Sequence, residues 1–193
     1  MALVIGGTTV TGTQTLDATK LTGNLPAISG ASLTGITAGI TSAQQWRLNS
    51  SYTGDADPIS SNLEEADTDG YGRLGGAMTV SSGIWTFPST GIWLISFTAQ
   101  FHNNADSRTN QIIISSTTNN SSYSQSTLAD QGIAHSQNSH TYANGTGFFI
   151  FDVTNVSTHK VKFASNVNDD SSTTAGESDV NRTHFTFIRL GDT

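Results

Sequence analysis

The sequence predicts an all-β chain: an antiparallel double sheet over residues 42–193, preceded by an extended segment over residues 1–41. Short runs of alternating apolar and polar residues recur between clusters of Gly, Asn, Asp and Ser, which is the period-2 signature of strands with one buried face. No stretch sustains a helical period. The three Trp, nine Phe and four Tyr all lie beyond position 45, whereas residues 1–41 hold only two charges, Asp17 and Lys20, and no aromatic anchor. A core can therefore form only in the second region, and the boundary falls near Ser42.

The chain opens on Met1-Ala2-Leu3-Val4-Ile5-Gly6-Gly7, a short apolar run with neither a basic leader nor an Ala-x-Ala site, so it does not read as a secretory signal. Nothing approaches the ~20 apolar residues that a membrane-spanning helix needs. From Leu16 to Ile36 isolated aliphatics, Leu21, Leu25, Ile28, Leu33 and Ile36 among them, are spaced by glycines and small polar residues. Such residues cannot bury themselves within one chain. Either three copies wrap about an axis and point them inward, or the segment is a disordered Gly/Ser/Thr linker.

Trp46-Arg47-Leu48 reads as the first strand of the sheet region. Residues 50–70 carry Asp55, Asp57, Glu64, Glu65, Asp67 and Asp69 and read as a polar loop with at most a short helical turn. Strands are expected over 77–80, 83–87, 92–102, 111–116, 141–153, 160–167 and 183–190, with a polar stretch over 123–135. The most informative of these is residues 83–102, GIWTFPSTGIWLISFTAQFH. Its odd positions Trp93, Ile95, Phe97, Ala99 and Phe101 share one face, because side chains alternate across a strand. The turn Pro88-Ser89-Thr90-Gly91 makes 83–87 and 92–102 look like a central strand pair.

Phe87, Pro88, Gly91, Trp93, Ser96 and Phe97 form the pattern aromatic-Pro-x-x-Gly-x-aromatic-x-x-Ser-Phe, which resembles the signature of complement globular-head and tumour-necrosis-factor-like domains. That resemblance implies a jelly-roll β-sandwich and a homotrimer. The closing run His184-Phe185-Thr186-Phe187-Ile188-Arg189-Leu190-Gly191 resembles the terminal strand of the same superfamily, which runs beside the trimer axis. It places Phe185 and Phe187 on one face and Ile188 and Leu190 on the other, so both faces require cover and a neighbouring subunit is implied. Calcium binds near the trimer apex in some members, but no residues of this chain match those ligands.

Residues 18–35, ATKLTGNLPAISGASLTG, are similar to a segment of bacteriophage tail-fibre and virion-fibre proteins, and residues 51–75, SYTGDADPISSNLEEADTDGYGRLG, resemble the opening of complement-head-like domains in phage virion proteins. Together they imply a structural virion protein on the particle's exterior. Residues 1–41 would be the stalk that attaches to other virion proteins, and residues 42–193 a knob facing a host-surface glycan or protein. A capsid decoration or head fibre with a stabilising role is the alternative, and a stalk of at most ~130 Å at 3.3 Å per residue suits a short spike. A secreted lectin-like adhesin is the third reading.

Little in the sequence points to chemistry. A formal charge of −7 with eight scattered Lys and Arg excludes the basic stripe that nucleic acid requires. Zero cysteines exclude disulfides and thiolate zinc sites. Asp67-Thr68-Asp69-Gly70 begins like a calcium loop but lacks the later ligands of an EF-hand, so it reads as a solvated acidic turn, as do Asp169 and Asp170. Glu64 and Glu65 would point to opposite faces of a strand, and a glycosidase needs two carboxylates flanking one bond. His102, His135, His140, His159 and His184 lack zinc spacing, although His135 and His140 could approach a threefold axis. No Gly-x-Ser-x-Gly elbow occurs. No catalytic, cofactor-binding or metal-ligating residue is assigned, and a non-enzymatic role is expected. Tyr123 and Tyr142 are the candidate surface contacts, because an amphipathic ring among Ser and Asn can stack on a sugar.

Overall fold

The computed structural model describes residues 3–5, 8–10, 39–136 and 139–193, and the chain separates into two units, Met1–Ile36 and Thr37–Thr193. In the first unit, β1 (Leu3–Ile5) and β2 (Thr8–Val10) pair antiparallel with Leu3 opposite Val10. The opening apolar run is therefore a strand, consistent with the β preference of Val and Ile. The stalk aliphatics Leu21, Leu25, Ile28, Leu33 and Ile36 lie outside the described residues.

The second unit is all-β, with strands β3 (Ser42–Leu48), β4 (Ser50–Thr53), β5 (Leu63–Glu65), β6 (Thr79–Ser81), β7 (Ile84–Thr86), β8 (Gly91–Asn103), β9 (Ser107–Thr117), β10 (Ser124–Ile133), β11 (Thr141–Val153), β12 (Lys160–Val167), β13 (Thr173–Glu177) and β14 (His184–Gly191). They form two antiparallel sheets. The five-stranded sheet runs β10-β9-β12-β7-β6, and the seven-stranded sheet runs β4-β13-β8-β14-β3-β5 with β11 on the other side of β8. β8 is the spine of the larger sheet. One of its edges pairs with β11 from Gly91 to Asn103, while the other pairs with β14 over Ile92–Thr98 and with β13 at Phe101 and His102.

The alternation expected of residues 92–102 is present: Trp93, Ile95, Phe97, Ala99 and Phe101 are fully buried. The expected pairing is not. β7 belongs to the five-stranded sheet, where it pairs with β6 and β12, whereas β8 belongs to the seven-stranded one. The turn at Pro88–Gly91 carries the chain across the sandwich instead of closing a hairpin. Phe87 and Trp93 then face each other across the core with ring centroids 5.3 Å apart.

That core is aromatic. Trp85 sits against Trp46, Phe163, Phe185 and Phe187 at centroid distances of 5.1 to 5.9 Å, and the Phe97 and Phe185 rings stack at 4.9 Å. Each such pair contributes about 0.5–1.5 kcal/mol beyond its area burial. The face of β14 bearing Phe185 and Phe187 is thus covered by the chain's own second sheet, not by a neighbour.

Two regions differ from expectation. Residues 50–70 hold β4 and β5, with no helical turn. The acidic β5 forms because Arg47 on its partner β3 donates to Glu64, while Arg73 donates to Glu65. β13 was not expected because Thr-Thr-Ala-Gly-Glu lacks large alternating apolar residues. It is held by pairing with β4 and β8, burying Thr174 and Ala175.

Candidate interaction surface

The outer face of the seven-stranded sheet is built by the even positions of β8 and by the residues level with them. One row runs Ile150, Leu94, Ile188, Ala43 across β11, β8, β14 and β3, and the next runs Phe148, Ser96, Thr186, Gln45. Neither row carries a charge. Phe148 and Ile150 are 62% and 61% exposed, the highest among the large apolar side chains described, and Leu190 is also exposed. Large apolar residues clustered this way on one face mark an association surface.

β11 projects these side chains for a local reason. Its inward positions near them are Gly145 and Gly147, where a β-carbon would press on Ile112 and Thr127. At those two positions the strand lies close on the core, while Phe148 and Ile150 point outward. The Thr127 hydroxyl donates to the Phe148 carbonyl at 2.8 Å, tying this edge to β10 of the other sheet.

Across the same face, between β3, β14 and the 71–72 segment, lies an open groove of about 200 Å³, lined by Ala43, Gln45, Tyr71, Gly72, Thr186 and Ile188. Tyr71 is fixed as its wall, since its hydroxyl accepts from the Gln45 amide at 3.2 Å and donates to Glu65 Oε1 at 3.0 Å. Burial pushes its phenol above the ordinary range.

The sequence candidates fall in several places. Phe87, Trp93, Phe97, Phe185 and Phe187 are core residues. Gly91 and Pro88 shape the crossing turn, where Gly91 has φ +139°. Ile188 alone of the signature set lies on the outer face. Tyr123 and Tyr142 are not brought together: Tyr123 precedes β10 of the five-stranded sheet with the Lys162 ammonium 5.5 Å over its ring, whereas Tyr142 is exposed on β11 of the other sheet. Phe148, Ile150 and Tyr71 were not singled out from sequence. For β11 the signal was present, since Gly147-Phe148-Phe149-Ile150-Phe151 is apolar on both faces of a strand.

His140 and Tyr142 flank His102, with ring centroids 4.8 and 5.3 Å from it. Burial, then the neighbouring His140 and Arg182 charges, hold His102 below the ordinary imidazole value. His135 contacts Asn104 at 3.2 Å. Asp67 and Thr68 serve the buried Arg47 guanidinium, and Asp169 accepts from the Ser171 amide and hydroxyl at 2.8 and 2.7 Å. Among the described residues, no three His, Asp or Glu side chains converge as a metal cage requires.

No protein-family model matches the chain, and no curated protein matches it. Among solved structures it is similar to murine APRIL. The crystal structure at pH 5.0 has a TM-score of 0.52 and 12% identity, and the one at pH 8.0 has 0.51 and 13%; each comparison covers 77% of this chain and 98% of the APRIL chain. At that identity the likeness is one of fold, a tumour-necrosis-factor-like jelly-roll sandwich.

Proposed function

We propose that the chain is a non-enzymatic structural virion protein that forms a homotrimeric fibre or spike. Its N-terminal segment attaches to the phage particle, and residues 42–193 form an exposed knob that adheres to a host surface. The observation that carries the assembly is the outer face of the seven-stranded sheet, where Phe148 and Ile150 stand exposed beside uncharged rows. Covering such surface favours association by ~25 cal/mol per Å² of apolar area removed from water. Placement on a phage particle rests on the likeness of residues 18–35 to virion-fibre segments and of residues 51–75 to the opening of complement-head-like domains in phage virion proteins. Threefold display would multiply contacts too weak to hold singly.

Sedimentation of the full chain at micromolar concentration tests the assembly: a trimer is expected, and a monomer overturns it. Binding to host cells by the full chain, set against a variant lacking residues 1–41, tests the knob, which alone should retain the contact. The separation of Tyr123 from Tyr142 onto different sheets favours a second reading, a capsid decoration whose role is to stabilise the shell. Imaging of the particle with a labelled chain separates the two, placing the label on the tail or over the capsid.

A further inference from the structure

We infer that the open pocket between the start of β9 and the end of β10 binds a carboxylate-bearing sugar, with Arg108 taking the carboxylate and Asp106 accepting from a neighbouring hydroxyl. The inference rests on the adhesion reading above and adds to it a ligand class and a site.

Arg108 stands apart from the other cations. Arg47, Arg73, Lys162, Arg182 and Arg189 each pair with a carboxylate of the same chain, and the buried Lys160 ammonium donates to the Thr86 hydroxyl and the Val156 carbonyl. Arg108 is exposed and has neither kind of partner among the described residues. Its guanidinium therefore keeps its N–H fork for a ligand, and that planar fork matches a carboxylate in two parallel bonds.

The local fold explains why this side chain is presented. Arg108 shares the alternation of Asn110, Ile112 and Ile114, all buried, and would point into the core of a regular strand. The register shift between Gln131 and Ile133, opposite Asn110 and Ser107, breaks that alternation, and such irregularities re-aim side chains. Gly132 sits within the shift, close enough that a β-carbon would lie 3.3 Å from the Arg108 carbonyl. The resulting pocket, lined by Asp106, Arg108, Gly132, Ile133 and Ala134, has a volume of about 410 Å³, within the ~300–1,000 Å³ range of ligand sites.

The lining selects the ligand. Asp106 is held in place because its Oδ1 accepts from the His135 amide at 2.6 Å, and its second oxygen is left to accept from a ligand hydroxyl. One guanidinium beside one carboxylate compensates a single negative charge, so a carboxylate suits the pocket better than a doubly charged phosphate. A sugar acid brings the carboxylate and the adjacent hydroxyl donor on one ring, whereas an acidic peptide side chain brings the carboxylate alone. Ile133 and Ala134 supply apolar surface for the C–H face of that ring.

The pocket also lies where an adhesive site is useful. β3 begins at Ser42, level with Arg189 and through it with Trp93 near the start of β8. β8 then runs to Asn103, about 33 Å further on for ten residues, and β9 starts at Ser107. The pocket is therefore at the far end of the sandwich from the point where residues 1–41 join it, and three copies of a weak site would act together in a trimer.

Saturation-transfer NMR on the full chain tests the site with four probes: methyl glucuronide, the methyl glycoside of N-acetylneuraminic acid, methyl glucoside and N-acetylglutamate. Expected is transfer to at least one of the two sugar acids, the one that responds identifying the source, and none to the neutral glucoside. Arg108→Gln should weaken that binding by about tenfold or more, the loss of hydrogen bonds to a charged group, with unchanged cooperative unfolding because the position is exposed. Arg108→Lys should fall between the two. Equal transfer to methyl glucoside, or binding undiminished in Arg108→Gln, overturns the inference; an equal response to N-acetylglutamate overturns it in favour of an acidic peptide. Host-cell binding separates this from the adhesion reading. Cells held equally by the native chain and by Arg108→Gln, with no transfer to either sugar acid, overturn the site and leave adhesion standing. Arg108-dependent binding of a sugar acid by a chain that holds no cells supports the site and removes the adhesion reading.

Discussion

The Arg189 guanidinium packs against Gly91: its Nε donates to the Thr90 carbonyl at 2.8 Å, and a β-carbon on Gly91 would collide with that guanidinium and with the Gly191 carbonyl, 2.6 Å away. The glycine is needed twice, for this close approach and for its φ of +139°, a conformation that L side chains avoid. Gly91→Ala should cost roughly 2–4 kcal/mol, combining backbone strain with displacement of Arg189. Urea unfolding checks this, with a lower midpoint and an unchanged slope; an unshifted midpoint would show that the turn yields freely.

The stacked rings of Phe97 and Phe185 join adjacent strands of the seven-stranded sheet, and Phe163 meets both from the opposite sheet at 5.3 and 4.7 Å. Phe185→Ala should therefore destabilise the sandwich by about 3–5 kcal/mol through lost burial and the cavity left behind. Phe185→Leu should cost clearly less. Thermal unfolding ranks the two, and equal losses would argue that the site collapses around either residue.

Arg47 is fully buried and its partners are not: Glu64 and Asp67 side chains are 26% and 79% exposed. Losing the more buried partner leaves more of the cation's charge uncompensated. Glu64→Gln should cost about 2–3 kcal/mol, below the ~3–5 of a fully buried pair, and Asp67→Asn under about 1 kcal/mol, as for solvent-screened pairs. Arg47→Lys should also destabilise, because the bonds to Glu64, Thr68 and Asp67 leave from three different guanidinium nitrogens, which the single nitrogen of an ammonium does not reproduce. Chemical unfolding of the three variants tests the order; a larger loss for Asp67→Asn contradicts it.

How much of this could be seen in the sequence depended on whether the cause was local. The buried face of β8 was legible because Trp93, Ile95, Phe97, Ala99 and Phe101 alternate in the chain itself. The partner of β7 was not, because Pro88-Ser89-Thr90-Gly91 turns the chain equally well within a sheet or between sheets, and only the pairing of β7 with β12 decides. β13 escaped for the same reason: its pairing comes from β4 and β8. The interaction surface was half legible. Ile188 was found by asking what covers both faces of β14, and the same question put to residues 147–151 leads to Phe148 and Ile150. Tyr71 and Gly72 carry no such pattern, because their groove exists only where the loop lies over β3.

The histidines of the seven-stranded sheet should make stability fall in mild acid. Burial, reinforced by the His140 and Arg182 charges, lowers His102, and burial lowers His184 against hydrogen bonds at Asn181 and Arg182 that raise it. Of the charged groups around His102, Arg182 is paired with Glu177 at 2.6 Å, so protonation meets no free anion. A folded-state value below the unfolded one means that the unfolded chain binds the proton more readily. The stabilisation is complete above the unfolded value, near pH 6.5, and is lost as pH falls from there through the lower folded values. Asp169 is also depressed, by the hydrogen bonds from Ser171, but its contribution is lost only below the ordinary carboxylate range, so the two effects occupy separate windows. Unfolding midpoints taken between about pH 8 and pH 5 should drop on the acid side for the native chain. The drop should shrink in His102→Gln and His184→Gln and stay unchanged in Asp169→Asn. A midpoint that is flat across that interval, or a drop of full size in the doubly substituted chain, would place the acid sensitivity elsewhere.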